Sequence, residues 1–187
     1  SNWDKDSEIS IINKTDKTTA IKISDELNEV FKTAKEINAK SNGFFDLTLD
    51  PIIELWGFVY KSKQMQVIPK DNQIKNILSL TGQKSYLEIN FDNNELIKKN
   101  KDIKINLSSI GKGYGIDLIG RKLDLLGINN YIINIGGDIL TKGYNSKKEN
   151  WVIGIENPNL KEKLIKEIVN LTNKGLATSG DYKNFFT

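Results

Sequence analysis

Near Tyr86 the hydrophobic repeat of the chain shifts from mainly helical to mainly strand spacing, and that shift limits the architectures open to it. Ahead of it, Leu27, Val30, Phe31, Ala34 and Ile37 recur at helical spacing, so a helix over 24–40 would bury a single stripe. Ser24 is placed to cap it, Asp25 and Glu26 sit where the helix dipole favours acids, and Asn42-Gly43 ends it. Pro51 suits the first helical position of a short helix over 51–56, with Asp50 as its cap and Gly57 as its stop. A further helix over 71–80 would turn Ile74, Ile77 and Leu78 inward. After Tyr86 the spacing predicts short strands over 86–91, 96–99 and 103–107, with Asp92-Asn93-Asn94 as the first turn. A helix over 111–126, closed by Gly127, separates these from strands over 131–135, 139–144, 151–156 and 167–172. Helices that mostly precede an antiparallel-looking set of strands indicate an α+β fold, antiparallel or mixed sheets with packed helices, rather than a doubly wound α/β one. With no internal repeat or linker, residues 1–187 read as a single domain.

Composition narrows the chemistry. The chain has no Cys and no His, which removes disulfides, thiolate and imidazole metal ligands, thiol nucleophiles and the usual neutral-pH general base. Carboxylates, lysines, hydroxyls, amides, backbone groups or an oxygen-ligated ion remain. The net charge of +3 comes almost wholly from lysines scattered among acids, and Arg121 is the only arginine, which argues against a nucleic-acid reader. Apolar runs such as Tyr131 to Ile135 are too short to cross a bilayer. The chain opens on Ser1-Asn2-Trp3 and stops at Phe185-Phe186-Thr187. The domain is therefore expected to be incomplete at both ends, with any signal or anchor outside these residues.

Several segments join glycine to polar residues in ways that packing does not require. Asn106-Leu107-Ser108-Ser109-Ile110-Gly111-Lys112-Gly113 runs from a strand into a helix, where unpaired N–H groups, hydroxyls and a lysine suit a phosphate. It matches neither a Walker A loop nor the dinucleotide fingerprint, and small residues packing a helix onto a sheet would look the same. Asn134-Ile135-Gly136-Gly137-Asp138 reads as a tight turn, or as a place where a ligand approaches the backbone. Thr178-Ser179-Gly180-Asp181 reads as a capped turn. Phe44-Phe45-Asp46 and Trp56 set aromatic surface beside acids, for which core packing is the commoner use.

In order along the chain come Ser7-Glu8-Ile9-Ser10 with Asn13, Phe45-Asp46-x-Thr48-x-x-Pro51, Leu55-Trp56-Gly57-Phe58, Ser108-Ser109-Ile110-Gly111-Lys112-Gly113-Tyr114 with Asp117, Asn134-Ile135-Gly136-Gly137-Asp138, and Ala177-Thr178-Ser179-Gly180-Asp181-Tyr182. This series resembles the FAD:protein FMN transferase family, also called the ApbE family, over nearly the whole chain. The resemblance implies a flavin-transferase architecture related to the T-fold. It also implies a bacterial envelope location, commonly through a lipid anchor, and Mg²⁺-dependent transfer of FMN from FAD to a threonine hydroxyl of an acceptor flavoprotein, with release of AMP. Some members instead hydrolyse FAD to FMN and AMP. By motif, Phe44, Phe45 and Asp46 would contact the flavin or its linker, and Trp3 would lie against the nucleotide. Asn106, which stands where many relatives have Asp, and Lys112 fall at FAD-contacting positions. Ser109 falls at a hydroxyl position near the metal, and Gly136, Gly137 and Asp138 would shape the pocket wall. No catalytic residue is assigned. The family pattern continues past Tyr182 into a segment with a His, then a helix with an Asp and a Thr that ligate Mg²⁺. Neither lies within these 187 residues, so a non-catalytic FAD-binding chain is the reading from another class. A monomer is expected, with no nucleic-acid partner and no membrane contact except through an anchor outside the chain.

Overall fold

A computed structural model describes residues 4–58, 68–157 and 165–179. Its contacts divide the chain into two units, Ser1–Gly111 and Lys112–Thr187. In the first unit, Ser7 caps helix α1 (Glu8–Lys14) by accepting from the Ser10 N–H, and the helix buries Ile9 and Ile12. After strand β1 (Ile21–Lys22) comes α2 (Asp25–Lys40), capped by Ser24 as its sequence indicates. The two oxygens of Glu8 accept from the N–H and hydroxyl of Ser24, at 2.7 and 2.6 Å, which ties α1 to the start of α2. Helices α3 (Asp50–Leu55), α4 (Asp71–Leu78) and α5 (Gln83–Tyr86) follow, then strands β2 (Leu87–Asn90) and β3 (Glu95–Lys98). The sheet is antiparallel in the order β1-β3-β2. Its core gathers Ile9, Ile12, Leu27, Phe31, Ala34, Leu47, Leu96 and Ile105, and of the expected stripe of α2 Leu27, Val30, Phe31 and Ala34 are buried while Ile37, near the end of the helix, is exposed.

Besides Ile37, three expectations need correction here. Leu78 is 48% exposed rather than inward. Asp50 lies inside α3, with Leu49 at the cap position, so Pro51 takes the second helical place. The segment 103–107 forms no strand, although Ile103 and Ile105 are fully buried. Side chains and a loop satisfy its backbone instead. The Asn13 amide donates to the Ile105 carbonyl at 2.7 Å and accepts from the Ile105 N–H at 2.8 Å, and the Asn106 N–H donates to the Leu47 carbonyl at 2.7 Å. A buried extended segment needs partners for its polar groups, but not a neighbouring strand.

In the second unit, α6 (Gly111–Leu125) precedes strands β4 (Tyr131–Ile135), β5 (Asp138–Lys142), β6 (Trp151–Glu156), β7 (Ile165–Leu171) and β8 (Gly175–Leu176). They make two antiparallel sheets, β4-β5-β8 and β6-β7. Ile116 of α6 packs with Tyr131 and Ile133, and Ile139 packs with Ile153 and Leu171. A Cβ on Gly120 would lie 3.1 Å from the Tyr131 hydroxyl and 3.2 Å from Leu140, so α6 approaches β4 and β5 through a bare backbone. Asp124 fastens the same junction, accepting from Tyr131 at 3.1 Å and Lys142 at 2.8 Å. The Lys142 hydrogen bond holds the Asp124 carboxyl below its ordinary range. Burial, and then Asp124, push the Tyr131 phenol up. Both units pair their strands antiparallel, in agreement with the α+β expectation.

Candidate functional site

The expected site residues of the first unit gather around the loop before α3. Asp46 turns that loop on itself: one carboxylate oxygen accepts from the Thr48 N–H at 2.7 Å and the Thr48 hydroxyl at 2.6 Å, the other from the Gln83 N–H at 2.8 Å. Thr48 is fully buried, and its hydroxyl accepts from the Gly82 N–H at 2.7 Å. Gln83 completes the clamp by accepting from Leu47 N–H and donating to the Ala34 carbonyl. The Asp-x-Thr spacing is a local turn signal that sequence reading could have used. Gln83 carries no such signal, because its partners lie far away along the chain. Phe45 packs against the core, whereas Phe44, its neighbour, is 91% exposed. A cleft of about 940 Å³ opens here, walled by Asp46, Gly43 and Leu47 with Phe31, Lys35 and Gln83.

Asn106 is bonded to the same loop, its backbone N–H donating to the Leu47 carbonyl. Its amide nitrogen donates to Asp50 and its oxygen accepts from the Ser108 N–H at 2.8 Å, the cap of the turn that carries Ser109. A carboxylate at this position could not make the first of these bonds. Asn106, Asp50 and Ser108, together with Ser10, Asn13 and Phe58, line a second cleft of about 500 Å³. Ser109 itself is exposed.

In the second unit, Lys112 meets the turn between β4 and β5. Its ammonium donates to the Gly136 carbonyl at 3.2 Å and to the Asp138 carboxylate at 3.1 Å. Gly136 and Gly137 hold φ of +57° and +94°, positive values that glycine adopts at the lowest cost. A Cβ on Gly137 would lie 3.4 Å from the Thr178 hydroxyl oxygen, so the Thr178 segment borders the turn. The structure thus joins Asp46 to Asn106 through Leu47, and Lys112 to Gly136 and Asp138. Trp3, Gly180 and Asp181 lie outside the described residues.

The residues described do not assemble a divalent-cation site. Ser109 offers one neutral oxygen, and no group of three or more carboxylates comes together among the described residues. Magnesium prefers carboxylate, water and phosphate oxygens.

The family model described as the ApbE family matches residues 1–187. The chain belongs to the ApbE family. It is 33% identical over its whole length to a protein of Vibrio cholerae named FAD:protein FMN transferase, covering 54% of that relative. It is 37% identical to the protein of the same name from Buchnera aphidicola, again covering all of this chain and 54% of the relative. Among solved structures, flavin transferase ApbE from Vibrio cholerae superposes with a TM-score of 0.85 at 33% identity, over 100% of this chain and 59% of that one. Apo flavinyl transferase ApbE from Pseudomonas stutzeri gives a TM-score of 0.83 at 31% identity, over 100% and 57%. The fold is therefore that of the ApbE flavin transferases, and the chain spans about half the length of the curated relatives it matches.

Proposed function

We propose that the protein transfers FMN from FAD to a threonine hydroxyl of an acceptor flavoprotein and releases AMP, with Mg²⁺ as the accompanying ion. The match of the whole chain to relatives named FAD:protein FMN transferase carries this reading. In the reaction the threonine oxygen bonds to the FMN phosphorus, the bond from that phosphorus to the AMP oxygen breaks, and the threonine proton is lost. Such chemistry asks a protein mainly for positioning and charge stabilisation, which lysine, amide and backbone groups can supply without histidine. In this assignment Lys112 meets the diphosphate, the Gly136-Gly137 backbone lets the dinucleotide come close, and Phe44, Phe45, Asp46 and Asn106 border the flavin and its linker. The same reading puts a monomeric protein at the bacterial cell envelope, held by a lipid anchor. No helix among the described residues is long and apolar enough to cross a membrane.

The test uses the full-length protein with FAD, Mg²⁺ and an acceptor domain bearing a target threonine. Covalent flavin fluorescence on the denatured acceptor, with one AMP per flavin attached, is the expected result. FMN and AMP released without acceptor would replace the reading with FAD hydrolysis. FAD binding that ignores Mg²⁺ and yields no AMP would replace it with a non-catalytic flavin binder.

A further inference from the structure

The connection between β4 and β5 is built to hold a cation. Ile135 pairs with Asp138 across two residues, and positive φ at both Gly136 and Gly137 is the signature of a type I′ turn. Asn134 closes the turn from within, its side-chain oxygen accepting from the Gly137 N–H at 3.1 Å. The Gly136 carbonyl and the Asp138 carboxylate then converge on Lys112, whose stem runs along the turn. A Cβ on Gly136 would lie 3.6 Å from the lysine Cδ.

An exposed ion pair adds little stability, and the Lys112 side chain is 44% exposed. The consequence of this geometry is orientation. A lysine ammonium has three N–H donors on a flexible stem. Among the described residues, two of those donors are taken by the turn, which sets the direction of the third. Asp138 is the more covered partner of the pair, so the positive group is the one that faces outward.

We propose that Asp138 is a positioning residue: with the Gly136 carbonyl it holds the Lys112 ammonium so that its remaining N–H meets a diphosphate oxygen of the bound dinucleotide, and Asn134 locks the turn that aims both acceptors. The choice of ligand rests on the transferase reading above. Holding the side chain before the ligand arrives removes an ordering cost from binding.

The experiment compares wild type, Asp138→Ala, Asp138→Asn and Asn134→Ala in the full-length protein. One readout is the rate at which an amine-reactive reagent labels Lys112 without FAD, followed by mass spectrometry. The other is the pair of KM for FAD and kcat for FMN transfer. Asp138→Ala should speed Lys112 labelling several-fold and raise KM for FAD by about tenfold, the effect of one charge-assisted hydrogen bond, with the loss falling more on KM than on kcat. Asp138→Asn keeps an oxygen acceptor and should recover most of both, and Asn134→Ala should lie between. Unchanged labelling in Asp138→Ala overturns the proposal, as does an Asp138→Asn variant no better than the alanine one. An unchanged KM in a protein that does use FAD also overturns it. A wild-type protein that neither binds FAD nor releases AMP overturns the transferase reading, while the labelling rates still decide whether the turn holds Lys112.

Discussion

Asp46 in the first unit and Asp138 in the second are both acids in glycine-bordered segments, yet their surroundings differ. Asp46 receives three donors and, through Thr48 and Gln83, fixes a loop against the core. Asp138 meets one lysine at the surface. A carboxylate that saturates nearby N–H groups is part of the scaffold, whereas one that shares an exposed cation aims that cation and does little else. The contrast separates the two segments more clearly than their similar composition does.

Removing each acid tests the contrast directly. Asp46→Ala strands the Thr48 and Gln83 N–H groups and should destabilise the protein by about 3 kcal/mol. Asp138→Ala should cost no more than about 1 kcal/mol. Urea denaturation of both variants measures the difference, and equal losses would abolish the distinction. Next in size is Gly143→Ala. At φ +60°, a Cβ there would lie 2.2 Å from the Asn130 side-chain oxygen and 2.4 Å from the Asn129 carbonyl. A loss of about 2–3 kcal/mol is expected, and it would show that the second unit has rigid points of its own, away from the Lys112 turn.

Asn106→Asp probes the first unit more gently. It sets a second carboxylate against Asp50 and removes the donor between them, for an expected cost of about 1–2 kcal/mol. Adding Asp50→Asn restores one donor and should recover most of the loss; a double variant as unstable as the single one would disprove the pairing.

The smallest effects are those of pH, and at the alkaline end they run in opposite directions. Lys98 is fully buried, donating to the Thr15 carbonyl at 2.8 Å. Burial, and then Lys104, pull its pKa below the ordinary 10.5. Between that lowered value and 10.5 the unfolded chain holds a proton that the folded one has lost, so rising pH favours the folded state. Lys142 is raised by its hydrogen bond to Asp124, so its contribution is present below 10.5 and lost as pH rises through the raised value. Asp124 is depressed, so its contribution is present above 3.8 and lost as pH falls through the depressed value. Denaturation midpoints across pH should therefore lose the alkaline gain in Lys98→Met and part of the acid loss in Asp124→Asn.

Much of the fold was legible because its signals are local. The stripe from Leu27 to Ala34, the cap at Ser24, the Asn93-Asn94 turn and the Gly136-Gly137 turn all appear where spacing puts them. Helix α1 was legible too, in the Ser7 cap and in Ile9 with Ile12, but its motif was read only as a resemblance. The segment 103–107 was not, because the choice between a strand partner and the Asn13 side chain depends on a residue more than ninety positions away.

The candidate site divides in the same way. Sequence alone determined which residue types are present and that glycine stands at 136 and 137, since backbone conformation at a turn is a property of the residue itself. It also determined the family, through motifs in order along the chain. Only the tertiary structure decided that Asp46 also accepts from Gln83, that Asn106 donates to Asp50, and that Lys112 rests on Gly136 and Asp138. A side chain's role depends on which donors and acceptors reach it, and these come from segments that only folding brings within hydrogen-bonding distance.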